Sequence, residues 1–375
     1  LYTGLAGTLY SIARSASNIC SSRTRIDGVP EQTNEGVFGP LQRAAVRVGL
    51  ITGSVSMLVA MGLSIFALPE DKSYLLPLCL VCALMLPAEH VRLTALAVDH
   101  GRGTFNRYNL ARLTGAAIFP CLLIPLYLLE ISNLWLIAAI TVIVPIVGYA
   151  FYWKTSDTRS LRGSAVPAPL QLIREGRADG LAVLSGDLFD RLGLLLILWM
   201  VSLEDQGHYL TAVPAASMLL VAPHAFALFS FKLAADHQQP LRVSNGLRLG
   251  ALVIAVQALS WLALSYVLQP LLLLLYGEPF RAALPVTGIL LSAMAINGCG
   301  IVGDGYLRGR GRASVGVWTR IAGALVMLVA VWYYHAWPPL LRVAMATTVG
   351  TAAIALITGW VIIRDLIARE KSVAA

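Results

Sequence analysis

Three ionisable residues stand inside an apolar run, "LSGDLFDRLGLLLILWMVS" (184–202): Asp187, Asp190 and Arg191. Their i, i+3, i+4 spacing sets them on one face of a helix. Carboxylates so placed hold a cation or carry a proton, whereas a guanidinium suits a phosphate, whose oxygens it meets with paired N–H donors. Counted from a boundary near residue 181 at 1.5 Å per residue, Asp187 lies roughly 9 Å deep and Asp190 and Arg191 roughly 14 Å. A charge at a bilayer centre costs about 3 kcal/mol on insertion scales, so it faces a bundle interior or water. Asp187 and Arg191 are spaced to pair along the helix, which leaves Asp190 as the surplus charge. Two readings follow. One is a self-neutralising triad that fastens helices together; the other is a cavity face that binds a coupling cation or proton or orients an anionic substrate.

Two further stretches carry deep charges. In "LPAEHVRLTALAV" (86–98), Glu89 and Arg92 are again i, i+3 and flank His90. Arg14 has no carboxylate within its own apolar stretch, which fits either a phosphate or a helix end whose side chain snorkels outward.

These residues need membrane-spanning helices to position them. The chain has 375 residues, 57% hydrophobic and 13% charged, with a mean hydropathy of +0.73. A soluble domain carries about a quarter charged residues, so this balance identifies a multipass membrane protein. Apolar spans long enough to cross about 30 Å of hydrocarbon fall at 1–20 (weak), 44–68, 74–98, 109–129, 135–153, 181–202, 207–231, 247–268, 282–304, 313–333 and 341–363. Eleven spans alternate the sides of their loops, and the basic residues test that alternation. One set of loops holds 18 Lys or Arg in 95 residues and the other 2 in 34, so the first set is cytoplasmic. The C-terminus is then cytoplasmic and residue 1 lies at the outer side. One further helix before residue 1 would complete twelve.

The basic loop 154–180, with its amphipathic "LQLIREGRADG", divides the chain into an N-terminal bundle (1–153) and a C-terminal bundle (181–375). An internal repeat supports this division. "GRGTFNRYNLARLTGA" (101–116) aligns without gaps on "GRGRASVGVWTRIAGA" (309–324), with six identities, Arg112/Arg320 among them, and "RVG" (47–49) has a counterpart in "RLG" (248–250). Both matches keep their membrane side, which indicates a parallel repeat.

Signatures of enzymatic chemistry are missing from the sequence: it has no GxSxG, no HExxH and no loop cluster with metal spacing. No catalytic residue, metal site or cofactor is assigned. "CLVC" (79–82) reads as small-residue packing, and the net charge of +8 follows from the positive-inside bias, not from nucleic-acid binding.

Four stretches resemble the polysaccharide and O-antigen flippases, the oligosaccharidyl-lipid branch of the multidrug/oligosaccharidyl-lipid/polysaccharide exporter superfamily: "RGTFNRYNLARLTG", "SGDLFDRLGLLLILWMVSLEDQGHYLTAVPAASML", "LLLLLYGEPFRAALPVTGILL" and "GYLRGRGRASVG". The resemblance implies an all-α fold of two six-helix bundles around a central cavity. It also implies transport of an undecaprenyl-diphosphate-linked oligosaccharide across the bacterial inner membrane by alternating access, beside other polysaccharide-assembly membrane proteins. Arg14, Arg92 and Arg191 would meet the diphosphate, and Glu89, Asp187 and Asp190 would couple Na+ or H+. A cation-coupled multidrug antiporter of the same superfamily and an integral-membrane enzyme of envelope-glycan assembly are the alternatives.

Overall fold

The structure is a computed structural model that describes residues 35–68, 70–102, 105–131, 133–155, 169–235 and 243–374. The span expected at 1–20, with Arg14, lies outside the described residues. Every other expected span falls on a helix or a helix pair. These are α1 (Glu35–Ala67), α2 (Leu76–Ala83), α3 (Leu86–Arg102), α4 (Phe105–Leu128), α5 (Leu134–Thr155), α6 (Pro169–Met200), α7 (Leu203–Ser217), α8 (Val221–Ala235), α9 (Val243–Tyr276), α10 (Ala283–Gly309), α11 (Ala313–Tyr333) and α12 (Pro339–Ala374). Among the described residues, six helices or continuous helical runs are each long and apolar enough to cross a membrane, seven if the bent pair α2 and α3 is one span.

Local sequence explains where these helices break. The expected span 74–98 bends by 41° between α2 and α3. Pro87 sits in the first turn of α3, where its missing N–H is harmless, but it could not continue a helix from α2. Pro214 and Pro223 flank the short 3-10 turn Met218–Leu220 that separates α7 from α8. Ser202 caps α7, its hydroxyl accepting from the Asp205 N–H at 3.2 Å. Pro169 opens α6, and the amphipathic piece expected as part of a linker is instead the first turns of this 32-residue helix.

The contacts divide the chain into two compact units, Leu1–Asp187 and Leu188–Ala375. Sequence reading placed the second bundle from residue 181; α6 itself runs across the division, because its polar first turns and its apolar last turns form one helix.

In the first unit, α1 lies against α3 through the "GLITG" stretch. A Cβ on Gly49 would stand 2.6 Å from the Thr94 hydroxyl and 2.7 Å from Val91 Cα, and one on Gly53 would stand 2.6 Å from Pro87 Cα. Two glycines four residues apart thus let two backbones touch. Cys79 and Cys82 are buried free thiols on α2, and Cys82 donates to the Ala138 carbonyl of α5 at 3.7 Å. The packing role expected of "CLVC" is the one the geometry gives it.

The second unit has its own core, in which Phe189, Leu194 and Ile197 of α6 meet Tyr209, Leu272, Leu290 and Met327. The repeat is visible in the helix boundaries. Phe105 begins α4 and its aligned counterpart Ala313 begins α11, so the two aligned segments start helices at the same position. In the turn before α11, Gly311 adopts φ +69°. The Arg312 N–H reaches the Leu307 carbonyl at 2.8 Å and the Gly311 N–H the Arg308 carbonyl at 3.0 Å, a glycine-terminated helix end.

The α1–α3 contact gives a first prediction. Gly49→Val must push the two helices apart, and overpacking of this kind costs roughly 1–3 kcal/mol. Gly62, on the same helix with open space around it, should accept alanine silently. Unfolding temperatures in detergent check both; an unchanged value for Gly49→Val would refute the close contact.

Candidate functional site

In the first unit the sequence-predicted residues of α3 come together. Arg92 donates from Nε and Nη2 to the two carboxylate oxygens of Glu89 at 2.8 and 2.6 Å. The side chains are only 12% and 6% exposed, so the pair is withdrawn from solvent on a single helix. Such a pair neutralises itself without needing a second helix, and the two parallel bonds offset the loss of hydration. The stem of Arg92 passes over Gly148 of α5, where a Cβ would lie 3.3 Å from Cδ.

His90, the residue between them, is fully buried. Its Nδ1 lies 3.1 Å from the Thr52 hydroxyl of α1. The same hydroxyl donates to the Val48 carbonyl at 2.8 Å. Thr94 donates to the His90 carbonyl at 2.9 Å. The glycines of α1 therefore do more than pack: they bring Thr52 to the imidazole.

Residues 187 to 191 on α6 are arranged differently. Phe189, Gly193, Leu194, Ile197 and Leu198 are buried and fix which face of α6 meets the core of the second unit. Asp190 shares that side of the helix and Arg191 lies at its border, yet Asp190 is exposed and Arg191 half-buried. Asp187, the last residue of the first unit, is half-buried. Arg191 makes no hydrogen bond or ion pair with any described residue. The pairing that its spacing from Asp187 allows is not made, and α6 carries a guanidinium that its own helix does not neutralise. Arg14, the remaining expected site residue, lies outside the described residues.

The sequence reading missed a set of charges in the second unit. Asp304 of α10 and Arg320 of α11 form an ion pair. Asp365 of α12 is buried and accepts from the Tyr306 hydroxyl at 2.9 Å and from Arg310 Nε at 3.2 Å, with Arg312 Nη1 3.0 Å from its other oxygen. Arg310, Arg312 and Arg320 were legible only as repeat positions and topology markers. The available signal was an aspartate near the end of each of two apolar helices. Gln257 of α9 is likewise buried and donates to the Ala295 carbonyl at 3.3 Å.

These arrangements separate two kinds of charge. Glu89 with Arg92 and Asp304 with Arg320 are neutral pairs, whereas Arg191 has no ion pair with a described residue. The first kind predicts stability effects. Glu89→Gln or Arg92→Gln alone leaves a buried charge without its counter-charge and should cost about 3–5 kcal/mol. The double variant should regain most of that loss. Unfolding in detergent measures the cycle, and additive losses would show that the two residues do not act as a pair.

No protein-family model matches the chain, and no curated protein matches it. Solved structures do. The inward-facing conformation of a multidrug resistance MATE family transporter of the MOP superfamily is similar with a TM-score of 0.78 at 13% identity, covering 100% of this chain and 90% of that chain. The outward-facing conformation of a multidrug resistance MATE family transporter gives 0.67 at 15% identity, over 97% and 86% of the two chains. The eukaryotic MATE transporter AtDTX14 gives 0.66 at 12% identity, over 95% and 84%. The likeness is one of fold, and the fold of this chain is that of the MATE-type transporters of the MOP superfamily.

Proposed function

We propose that this chain is a transporter, not an enzyme, that moves the diphosphate head and glycan of a polyprenyl-linked oligosaccharide from the cytoplasmic to the periplasmic leaflet of a bacterial inner membrane by alternating access. The observation that carries this reading is Arg191: a guanidinium within the apolar run 184–202 of α6, with no ion pair to a described residue. A charge so placed requires water or an anionic ligand. The planar fork of its N–H donors matches a phosphate, and a diphosphate presents two of them. The polyprenyl tail would remain in lipid while the polar head occupied a hydrated site, so that no sugar hydroxyl would be stripped of hydrogen bonds in hydrocarbon.

The fold supports the transport reading, and the four sequence stretches that resemble oligosaccharide-lipid flippases support the cargo. Arg14 and Arg92 are proposed as further diphosphate contacts, although Arg92 must loosen its grip on Glu89 to serve. Asp187, Asp190 and Glu89 are proposed to couple H+ or Na+, with exposed Asp190 the most accessible of the three. The basic loops support a cytoplasmic C-terminus.

A second reading has its own support. The similar solved structures include multidrug resistance transporters, and an exposed carboxylate such as Asp190 also suits a cationic drug. Proteoliposomes separate the two. A fluorescent polyprenyl-diphosphate glycan should become accessible to an external glycan-cleaving enzyme in the presence of the wild type. Arg191→Ala should slow that exposure by about tenfold or more, the worth of a lost charge-assisted contact. Arg191→Lys should retain part of it, since an ammonium is a point charge without the fork. Asp190→Ala should abolish the dependence on an ion gradient. Efflux of cationic dyes without glycan-lipid exposure would transfer the assignment to the multidrug reading, and normal exposure by Arg191→Ala would remove Arg191 from the site.

A further inference from the structure

The ends of α10 and α12 and the start of α11 meet in the second unit around one carboxylate. Asp365 has a side-chain exposure of 3%, Arg310 of 15% and Arg312 of 53%. Tyr306 and Arg310 both donate to Asp365 Oδ2, at 2.9 and 3.2 Å, while Arg312 stands 3.0 Å from Oδ1. Two guanidiniums thus share a single carboxylate, and the cluster of Arg310, Arg312 and Asp365 keeps one net positive charge. Among the described residues, no other hydrogen bond or ion pair engages either arginine side chain.

A second feature points the same way. Arg312 is the residue immediately before α11, and no side chain caps the first turn of that 21-residue helix. The positive end of the helix dipole therefore adds to the field of the two guanidiniums. The glycine turn is what brings these groups together. Gly311, at φ +69°, reverses the chain within three residues, so that Arg310 closes α10 and Arg312 opens α11 against the same aspartate.

The height of the cluster identifies its surroundings. Gly309 and Asp365 each lie 26 residues from the start of their helices, which is about 39 Å along each axis. A hydrocarbon core is about 30 Å thick, so the cluster stands in the headgroup layer. Its charge of +1 complements the single negative charge of a phosphodiester.

We propose that this cluster binds the phosphate of an anionic phospholipid such as phosphatidylglycerol, in the leaflet that faces the basic loops. Arg312 reaches out to the headgroup, Arg310 backs it and Asp365 orients both. The lipid is a resident ligand that ties the ends of α10, α11 and α12 together, and it is distinct from any cargo. The proposal does not rest on the identity of that cargo.

Native mass spectrometry of the full chain in detergent tests it, with phosphatidylglycerol and phosphatidylcholine as probes. The wild type should retain phosphatidylglycerol in preference to phosphatidylcholine. Arg312→Gln should weaken that retention by about fivefold, the effect of one arginine near an anionic surface. Because its side chain is half exposed, the substitution should leave the lipid-free unfolding temperature unchanged. Arg281→Gln, at the far end of α10 and exposed, should bind as the wild type does and so control for loss of charge in general. Asp365→Asn should strengthen binding, the opposite sign, because it removes the competing carboxylate. Equal retention by the wild type and Arg312→Gln would overturn the proposal. So would displacement of phosphatidylglycerol by a polyprenyl diphosphate that Arg312→Gln no longer binds, which would make the cluster a cargo site.

Discussion

A charge in hydrocarbon has to be neutralised, hydrated or bound to a ligand, and the described ionisable groups of the apolar helices meet that demand differently. Glu89 and Arg92 answer it within one helix, by a bidentate pair. Asp304 and Arg320 answer it between two helices. Arg191 has no such answer among the described residues. Since an unneutralised guanidinium is several kcal/mol less stable in lipid than in water, its place within an apolar run points to an aqueous or anionic environment.

Small residues make the polar contacts possible. At the α1–α3 contact, helices that approach through glycine place Thr52 within 3.1 Å of His90. In the second unit a Cβ on Gly305 or Gly309 would come 2.4 Å from a carbonyl oxygen of α8. With lipid tails as apolar as any leucine, helix association in a membrane depends on such close packing and on the hydrogen bonds it permits. The glycines of an otherwise hydrophobic sequence therefore belong to the same argument as its charges.

Hydropathy and loop charge made most of the helices legible. The expected spans from 44 to 363 fall on helices or helix pairs, and 313–333 coincides with α11. What could not be read were the helix extensions beyond the hydrocarbon, as in residues 169–180 of α6. Polar amphipathic turns give no apolar signal, and their helicity comes from continuity with the span that follows. The pairing of Glu89 with Arg92 was legible because both lie within one turn of one helix. Asp365 with Arg310 was not, because 55 residues separate them and only the packing of α10 on α12 brings them together. Arg191 shows the converse: a spacing that permits an intrahelical pair does not make one, because side chains follow the surroundings of the helix as well as its geometry.

The internal repeat sharpens this distinction between scaffold and charge. Phe105 and Ala313 start helices at aligned positions, so these helix starts are common to the two halves. The ion pairs are not. Carried upstream without a gap, the alignment sets Leu96, buried in the first unit, opposite Asp304. Arg112, the counterpart of Arg320, therefore has no aspartate at the matched position. A helix start is fixed by local backbone chemistry and persists while the sequence around it changes. A buried ion pair needs two residues on two helices at once, and replacing both with apolar groups is close to neutral for stability. The shared helix starts therefore survive where the sequence no longer supplies both partners of a charge pair.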